Sequence, residues 1–120
     1  MKFKSLNDFI PFSHKPFLVA GPCSAETEQQ VYVTASELSK NKHVKILRSG
    51  IWKPRTRPNS FEGMGEQALP WLAKAAKDFG FLSATEVANA HHVELCLKHG
   101  IDVLWIGART TVNPFTVQEI

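Results

Sequence analysis

A proline-flanked loop rich in cations is the part of this sequence best suited to bind an anion. Four cations lie within the ten residues 48–57, and two prolines stiffen the segment by fixing φ. The window from Leu38 to Phe61 holds seven of the fourteen Lys and Arg residues and no carboxylate. Cations without nearby carboxylates do not form local ion pairs, and guanidinium groups bind phosphate through paired hydrogen bonds. The loop is therefore either a phosphate-binding segment or a solvated basic loop, and spacing alone does not separate the two.

Further reactive side chains follow the ends of the predicted strands. Parallel α/β folds bind their ligands at the carboxyl ends of the strands. The residues at the four predicted strand ends are Cys23, then Arg48, Lys53, Arg55 and Thr56, then Glu86, and finally Arg109 and Thr110. One thiol, one carboxylate and several cations at a common rim favour a catalytic site over a scattered set of surface residues.

Several of these residues also have a purely structural interpretation. Cys23 is either an inert buried thiol or a metal ligand, and its place beside Gly-Pro at a strand end favours the ligand. Cys96 shares a helix face with apolar residues, so we expect it in the core. His91 and His92 begin a helix, but adjacent side chains point in different directions, so we do not expect a metal pair there. Glu86 could instead cap a helix or pair with a neighbouring cation.

Alternating apolar patterns predict four strands, each followed by a helix. The predicted strands are 17–20, 44–48, 81–85 and 102–106, and the predicted helices begin near Thr27, Glu66, Asn89 and Asn113. Thr27 with Gln30 fits a capping box. For the helix over 66–79 the predicted apolar stripe is Leu69, Leu72, Ala73 and Ala76. This α/β alternation predicts a parallel sheet with right-handed crossovers. Two architectures fit, an open doubly wound sheet and part of a (β/α)8 barrel.

Composition restricts the class of protein and of partner. The 120-residue chain is 43% hydrophobic with a formal net charge of +3, which fits one small globular domain rather than a disordered chain. The basic residues concentrate in one loop instead of lying along a face with interleaved aromatics, which argues against nucleic acid as a partner. The N-terminal residues given contain no apolar run long enough for a signal peptide, and no segment approaches the roughly 18 apolar residues of a membrane span. With two cysteines and no disulfide-type spacing, we expect a soluble protein of the reducing cytoplasm.

Four motifs together resemble a known family. They are Gly-Pro-Cys-Ser at 21–24, Arg48 followed by Lys-Pro-Arg-Thr at 53–56, Thr-Glu at 85–86 and Gly-Ala-Arg-Thr-Thr at 107–111. The sequence resembles the type I 3-deoxy-7-phosphoheptulonate (DAHP) synthases from residue 16 onward. The resemblance implies a (β/α)8 TIM barrel, of which this chain holds about the first four βα units. Residues 1–15 would then be an N-terminal lead-in and 16–120 the first half of the barrel.

The resemblance also implies a reaction and a cofactor. Phosphoenolpyruvate would condense with erythrose 4-phosphate, with loss of inorganic phosphate, at the entry to the shikimate pathway of aromatic amino acid biosynthesis. Cys23 would be a ligand to a divalent metal ion such as Mn, Fe or Co, since a thiolate fits several transition metals. The full-length protein would form a homo-oligomer and bind neither nucleic acid nor a membrane.

The same resemblance assigns roles to the residues of the motifs. The residues implied in substrate binding are Arg48, Lys53, Arg55, Thr56, Ala108 and Arg109. Of these, Arg55 and Thr56 would bind the phosphate of erythrose 4-phosphate, and the others phosphoenolpyruvate. Lys53 would also support proton transfer at the aldehyde oxygen, and Glu86 would face phosphoenolpyruvate and the attacking water. Lys53 and Glu86 are therefore the catalytic candidates.

Two other interpretations stay open. The related 3-deoxy-octulosonate 8-phosphate synthases carry Lys-Ala-Asn-Arg where this chain has Lys-Pro-Arg-Thr, which argues against that activity. A non-catalytic half barrel that binds anions or a partner is the second. The family's remaining metal ligands, a His, a Glu and an Asp, have no counterpart before Ile120. We therefore expect the natural protein to continue beyond Ile120 and the 120-residue piece alone to be inactive.

Overall fold

The structure, a computed structural model, describes residues 4–5, 8, 16–53 and 58–120. Within these residues, strands and helices alternate in the predicted order. The strands are β1 (Leu18–Ala20), β2 (Val44–Arg48), β3 (Leu82–Val87) and β4 (Val103–Ile106). The helices are α1 (Glu28–Leu38), α2 (Leu69–Asp78), α3 (Ala90–Lys98), α4 (Ala108–Thr111) and α5 (Pro114–Glu119), and a 3₁₀ turn (Gly65–Ala68) leads into α2.

The strands form one parallel sheet in the order β1-β2-β3-β4. Ile46 is in register with Leu82, and Ala84 with Val103. A doubly wound sheet reverses its strand order at a switch point, whereas here each strand lies beside the strand that precedes it in sequence. With right-handed crossovers this order keeps the helices on one side of the sheet, as in a (β/α)8 barrel. The sheet topology therefore favours the barrel of the two predicted architectures.

Apolar side chains cover both faces of the sheet. The larger cluster, between the sheet and the helices, includes Leu47, Val87 and Leu72. A smaller cluster on the other face centres on Ile46 and Ala84. Successive strand residues point to opposite faces, so Ile46 and Leu47 bury the two sides of β2. This explains why the apolar residues Ile46 and Leu47 are adjacent in the sequence instead of alternating with polar residues.

Side-chain caps confirm three of the four predicted helix starts, whereas the fourth, near Glu66, falls in the 3₁₀ turn that precedes α2. Thr27 Oγ1 accepts a hydrogen bond from the backbone N–H of Gln30 at 3.0 Å, and Asn89 Oδ1 caps α3 in the same way at 2.8 Å. Asn113 Oδ1 accepts from two backbone N–H groups of α5, each at 3.2 Å. The Gln30 side chain accepts from the Glu26 N–H at 2.8 Å, one residue earlier than a capping box requires.

Three predicted features are wrong in detail, because contacts distant in sequence decide them. Strand β3 pairs with β4 as far as Val87 opposite Ile106, so Glu86 lies inside the strand and not after it. On α2 the buried alanines include Ala75, whereas Ala73 is only partly buried. Helix α4 has no counterpart in the sequence prediction, since four residues are too few for a periodic pattern.

Of residues 1–15, which are predicted to form a lead-in, the structure describes residues 4, 5 and 8. There Asp8 Oδ2 accepts a hydrogen bond from the Ser5 N–H at 2.8 Å. The lead-in and its boundary at residue 16 therefore stay a prediction. Among the described residues, no helix combines the length and the apolar character that crossing a membrane requires.

Candidate active site

The loops after β1 and β2 continue the pairing of their strands and so bring the predicted site residues together. Ser24 and Gly50 form a parallel bridge beyond the strand ends. The Ala25 N–H donates to the Gly50 carbonyl at 2.9 Å, and the Gly50 N–H donates to the Cys23 carbonyl at 3.2 Å. This pairing holds Cys23 beside the segment that follows β2.

Lys53 and Cys23 are in direct contact at this edge. The Lys53 Nζ donates to Cys23 Sγ at 3.0 Å and to the Cys23 carbonyl at 3.1 Å. The hydrogen bond and the charge of Lys53 lower the pKa of the exposed Cys23 thiol; burial opposes this weakly, and Arg48 adds a smaller lowering effect. Cys23 is therefore exposed, and its thiol ionises more readily than an ordinary cysteine thiol, unlike the inert buried thiol of the structural interpretation.

Arg48 connects the β1 loop to β4. Its Nη1 donates to the Pro22 carbonyl at 3.1 Å, and its guanidinium carbon lies 5.1 Å from the centre of the Trp105 ring. A cation over an aromatic face is attracted by the ring quadrupole. These two contacts fix the half-buried Arg48 side chain at the carboxyl end of the sheet.

The backbone around Lys53 is anchored to the end of the loop. The Lys53 N–H donates to the Glu62 carbonyl at 2.7 Å, and the Gly65 N–H donates to the Ile51 carbonyl at 3.2 Å. Residues 54–57, and with them the predicted substrate-binding residues Arg55 and Thr56, lie outside the described residues. Their predicted roles therefore stay predictions.

Glu86 lies against the start of the segment after β4. A Cβ added at Gly107 would overlap Glu86 Oε1 and lie 2.6 Å from its Cδ, so a larger residue there would push the end of this flexible side chain aside. Ala108 and Arg109 follow directly and begin α4, and both are exposed. Thr110, by contrast, is buried. Among the residues that the structure describes, the Glu86 carboxylate has no hydrogen bond and no ion pair, so it caps none of the described helices and pairs with none of the described cations.

The two adjacent histidines have different surroundings. His91 is exposed, with its Nδ1 3.8 Å from the Glu94 carboxylate. His92 instead stacks on Trp52, with ring centres 3.9 Å apart and planes inclined by 6°. Cys96 is fully buried in the core, as predicted, and burial raises its pKa to about 11.

The sequence analysis missed four residues that fix the site: Trp52, His92, Trp105 and Gly107. Trp105 carried a usable signal, because it follows Leu104 in the predicted strand 102–106 and must therefore lie on the opposite face of the sheet. Gly107 directly follows a strand, where glycine often marks a close approach of other atoms. The stack of Trp52 on His92 had no signal in the spacing, since it depends on the path of two loops.

The whole described sheet, with its site residues, falls within one match to a known protein family. The model of the DAHP synthetase I family matches residues 10–120. The chain belongs to the DAHP synthetase I family. It is 40% identical over 96 residues to the phospho-2-dehydro-3-deoxyheptonate aldolase of Thermotoga maritima, covering 80% of this chain and 28% of that protein. It is 34% identical over 96 residues to the 2-dehydro-3-deoxyphosphooctonate aldolase of Paraburkholderia phymatum, covering 74% of this chain and 34% of that protein.

A solved structure agrees with the family assignment. The crystal structure of the Thermotoga maritima DAHP synthase matches with a TM-score of 0.71 at 40% identity, over 81% of this chain and 28% of that chain. The predicted fold class, a partial barrel of the α/β type, is confirmed. The chain spans about a third or less of the length of the relatives it matches.

Members of the DAHP synthetase I family generally depend on a metal ion. The described residues supply only part of the ligands that such an ion needs. The exposed Cys23 thiol with its lowered pKa is chemically suited to be one ligand. No group of three or more His, Cys, Asp and Glu residues that could hold a metal occurs in the described ranges. A metal at Cys23 would therefore need ligands beyond those the described residues supply, and it would have to displace the Lys53 ammonium from the sulfur.

Proposed function

We propose that the protein carrying this chain is a DAHP synthase. It would condense phosphoenolpyruvate, erythrose 4-phosphate and water to 3-deoxy-7-phosphoheptulonate and inorganic phosphate. The observation that carries the proposal is the contact of Lys53 with Cys23 beside Arg48, which gathers two cations and an activated thiol at the carboxyl edge of β1 and β2. Membership in the DAHP synthetase I family supports the same reaction.

The cations account for binding of the first substrate. Phosphoenolpyruvate carries a carboxylate and a phosphate, and Arg48, Lys53 and Arg109 supply positive charge that neutralises both. The exposed backbone of Ala108 at the start of α4 is proposed to bind the phosphate of phosphoenolpyruvate. Fixed donors at this edge also stabilise negative charge as it develops during the reaction.

Lys53 and Glu86 are proposed as the catalytic residues. The Lys53 ammonium would donate the proton that the aldehyde oxygen takes up as the new carbon–carbon bond forms. Glu86, whose carboxylate is unpaired among the described residues, would orient the water that attacks phosphoenolpyruvate before phosphate leaves. Arg55 and Thr56 are proposed for the phosphate of erythrose 4-phosphate on the family resemblance alone.

Cys23 is proposed as one ligand of a divalent metal ion. Its thiolate character, which Lys53 and Arg48 promote, suits a transition metal. When bound, such an ion would act as a Lewis acid that polarises the aldehyde.

A second candidate is 3-deoxy-octulosonate 8-phosphate synthesis, because one matched relative carries the name 2-dehydro-3-deoxyphosphooctonate aldolase. That enzyme class takes a five-carbon aldose phosphate in place of erythrose 4-phosphate. The run Lys-Pro-Arg-Thr at 53–56 argues for the four-carbon substrate. The identity to that relative is also lower, 34% against 40%.

The test compares the two aldose phosphates in the protein at its full natural length. Phosphate release from phosphoenolpyruvate is measured with erythrose 4-phosphate and with arabinose 5-phosphate, each with added Mn²⁺. We expect turnover with erythrose 4-phosphate and about 100-fold lower kcat/KM in Lys53→Met, because a donor to developing charge is lost. Lys74→Met is the matched control, since Lys74 lies on α2 beside Tyr32 and outside the site.

Three results would contradict the proposal. Turnover with arabinose 5-phosphate alone would favour the second candidate. Binding of phosphoenolpyruvate without turnover would favour a non-catalytic anion-binding module. An equal effect of Lys53→Met and Lys74→Met would remove Lys53 from the site.

The cellular setting belongs to the same proposal. A DAHP synthase serves aromatic amino acid biosynthesis through the shikimate pathway in the cytoplasm, and we propose a homo-oligomer at full length. Light scattering of the purified full-length protein measures that assembly directly.

A further inference from the structure

A stacked aromatic pair joins the two loops that carry the proposed catalytic residues. The Trp52 and His92 rings lie nearly parallel, 3.9 Å apart. Trp52 is the residue before Lys53, and His92 lies in the first turn of α3, shortly after Glu86 on β3. The stack therefore bridges the loop after β2 and the loop after β3.

The imidazole is held in one orientation and one protonation state. His92 Nδ1 accepts a hydrogen bond from the Ala88 N–H at 3.1 Å, so the ring proton is on Nε2. The backbone N–H of His92 donates to Asn89 Oδ1 at 2.8 Å. Burial, with a smaller contribution from His91, lowers the pKa of His92 and so favours the neutral ring. The ring is thus a fixed surface attached to the end of β3.

Trp52 is held from its other side by backbone contacts. Its neighbours Ile51 and Lys53 are both hydrogen-bonded to the returning part of the loop, at 3.2 Å to Gly65 and 2.7 Å to Glu62. The indole also packs against the apolar cluster between sheet and helices. A change in the backbone torsions of Trp52 would turn the Lys53 Cα and move the base of the side chain whose Nζ reaches Cys23.

We propose that His92 is a positioning residue that, by stacking on Trp52, fixes the backbone of Lys53 relative to Cys23 and to Glu86. The expected effect of this positioning on turnover rests on the proposed function, whereas its expected effect on the backbone of Lys53 does not. A misplacement of about 1 Å at a reacting group can cost about 100-fold in rate. The neutral ring and its acceptor contact keep the stack rigid.

The experiment separates stacking from hydrogen bonding with three variants in the full-length protein. His92→Ala removes both contributions, His92→Phe keeps a flat ring on Trp52, and His92→Asn keeps a short acceptor without the ring. His91→Ala is the matched control, because His91 is the exposed neighbour on the same helix turn. Two readouts are taken: kcat and KM for phosphoenolpyruvate, and amide hydrogen exchange resolved at Lys53 and Gly65.

We expect His92→Ala and His92→Asn to lower kcat/KM about 10- to 100-fold and to speed exchange at Lys53 and Gly65. His92→Phe should restore most of both, and His91→Ala should change neither. The proposal is overturned if His92→Phe is as impaired as His92→Ala, or if exchange at Lys53 stays unchanged in His92→Ala. Loss of protection throughout α2 as well would mean general destabilisation and would also overturn it.

The exchange readout keeps this proposal distinct from the proposed function. If the wild-type protein shows no turnover, the proposed function fails. The exchange pattern of the same four variants still supports or refutes the positioning role of His92.

Discussion

Gly63→Ala should destabilise the loop that presents Lys53, and the structure gives the reason. Gly63 has φ +96°, and an added Cβ would overlap the Ile51 carbonyl oxygen and lie 2.8 Å from the Ile51 carbonyl carbon and 3.0 Å from Trp52 Cα. All of these are backbone atoms, and Ile51 is fully buried. The backbone of Ile51 and Trp52 therefore cannot make room for the added Cβ by rotating a side chain.

The expected cost follows from three contributions. Alanine with positive φ costs about 1–2 kcal/mol, and overpacking against a fixed backbone adds about 1–3 kcal/mol. Moving the Ile51 carbonyl also weakens its hydrogen bond from Gly65, which is 3.2 Å long. Gly80→Ala is the matched control, because Gly80 has φ +75° and nothing within 4 Å of an added Cβ. The loss of unfolded-chain entropy is similar for both variants and cancels in their comparison.

The assay is urea unfolding of the full-length protein and of the two variants, followed by circular dichroism. We expect the free energy of unfolding of Gly63→Ala to fall about 1–3 kcal/mol further than that of Gly80→Ala. Equal losses in the two variants would refute the packing of Gly63 against Ile51 and Trp52. A larger loss in Gly80→Ala would refute the whole comparison.

Three further predictions concern neighbouring contacts. Lys53 lowers the pKa of Cys23, and the thiolate is the reactive form. Lys53→Met should therefore move the rate–pH curve of Cys23 alkylation to higher pH and slow the reaction at pH 7. An unmoved curve would contradict the contact between Lys53 and Cys23. Gly107→Ala should displace the flexible end of Glu86 and so lower kcat/KM with little change in melting temperature. In a Glu86→Ala background the same substitution should have no further effect on kcat/KM, and additive effects of the two substitutions would argue against this contact. Thr85→Val removes a buried hydroxyl that donates to the Ser49 carbonyl at 2.7 Å. Urea unfolding should therefore show a loss of about 1–3 kcal/mol in the free energy of unfolding, and a loss near zero would count against that hydrogen bond.

Local signals in the sequence were sufficient for the order of elements and for the helix starts. The caps at Thr27, Asn89 and Asn113 are short-range hydrogen bonds, so the residue type at one position nearly determines them. Strand β2 was predicted with its observed limits, because three of its five residues, Val44, Ile46 and Leu47, are apolar and buried. The true end of β3 was missed, since pairing with Ile106 on β4 extends it.

The positions of the site residues were predictable, but their contacts were not. The rule that parallel strands share a carboxyl edge was enough to predict Cys23, Arg48 and Glu86 at one rim. The 3.0 Å contact of Lys53 with Cys23 depends on how the loop after β2 folds back. Spacing along the sequence carries no such information, and neither does it reveal which ring faces His92.

Each fixed side chain of the candidate site is held by a residue from a different βα unit. Arg48 lies over Trp105 of β4, Lys53 reaches Cys23 after β1, and His92 of α3 supports the residue before Lys53. Cys23 and Lys53 meet in a solvent-exposed contact, and exposed polar contacts of this kind contribute little to stability. Buried residues such as Leu72 in the helix-side core carry the stability instead. Substitutions at the rim should therefore change ligand binding and turnover while leaving the unfolding transition nearly in place, and substitutions in the core should do the reverse.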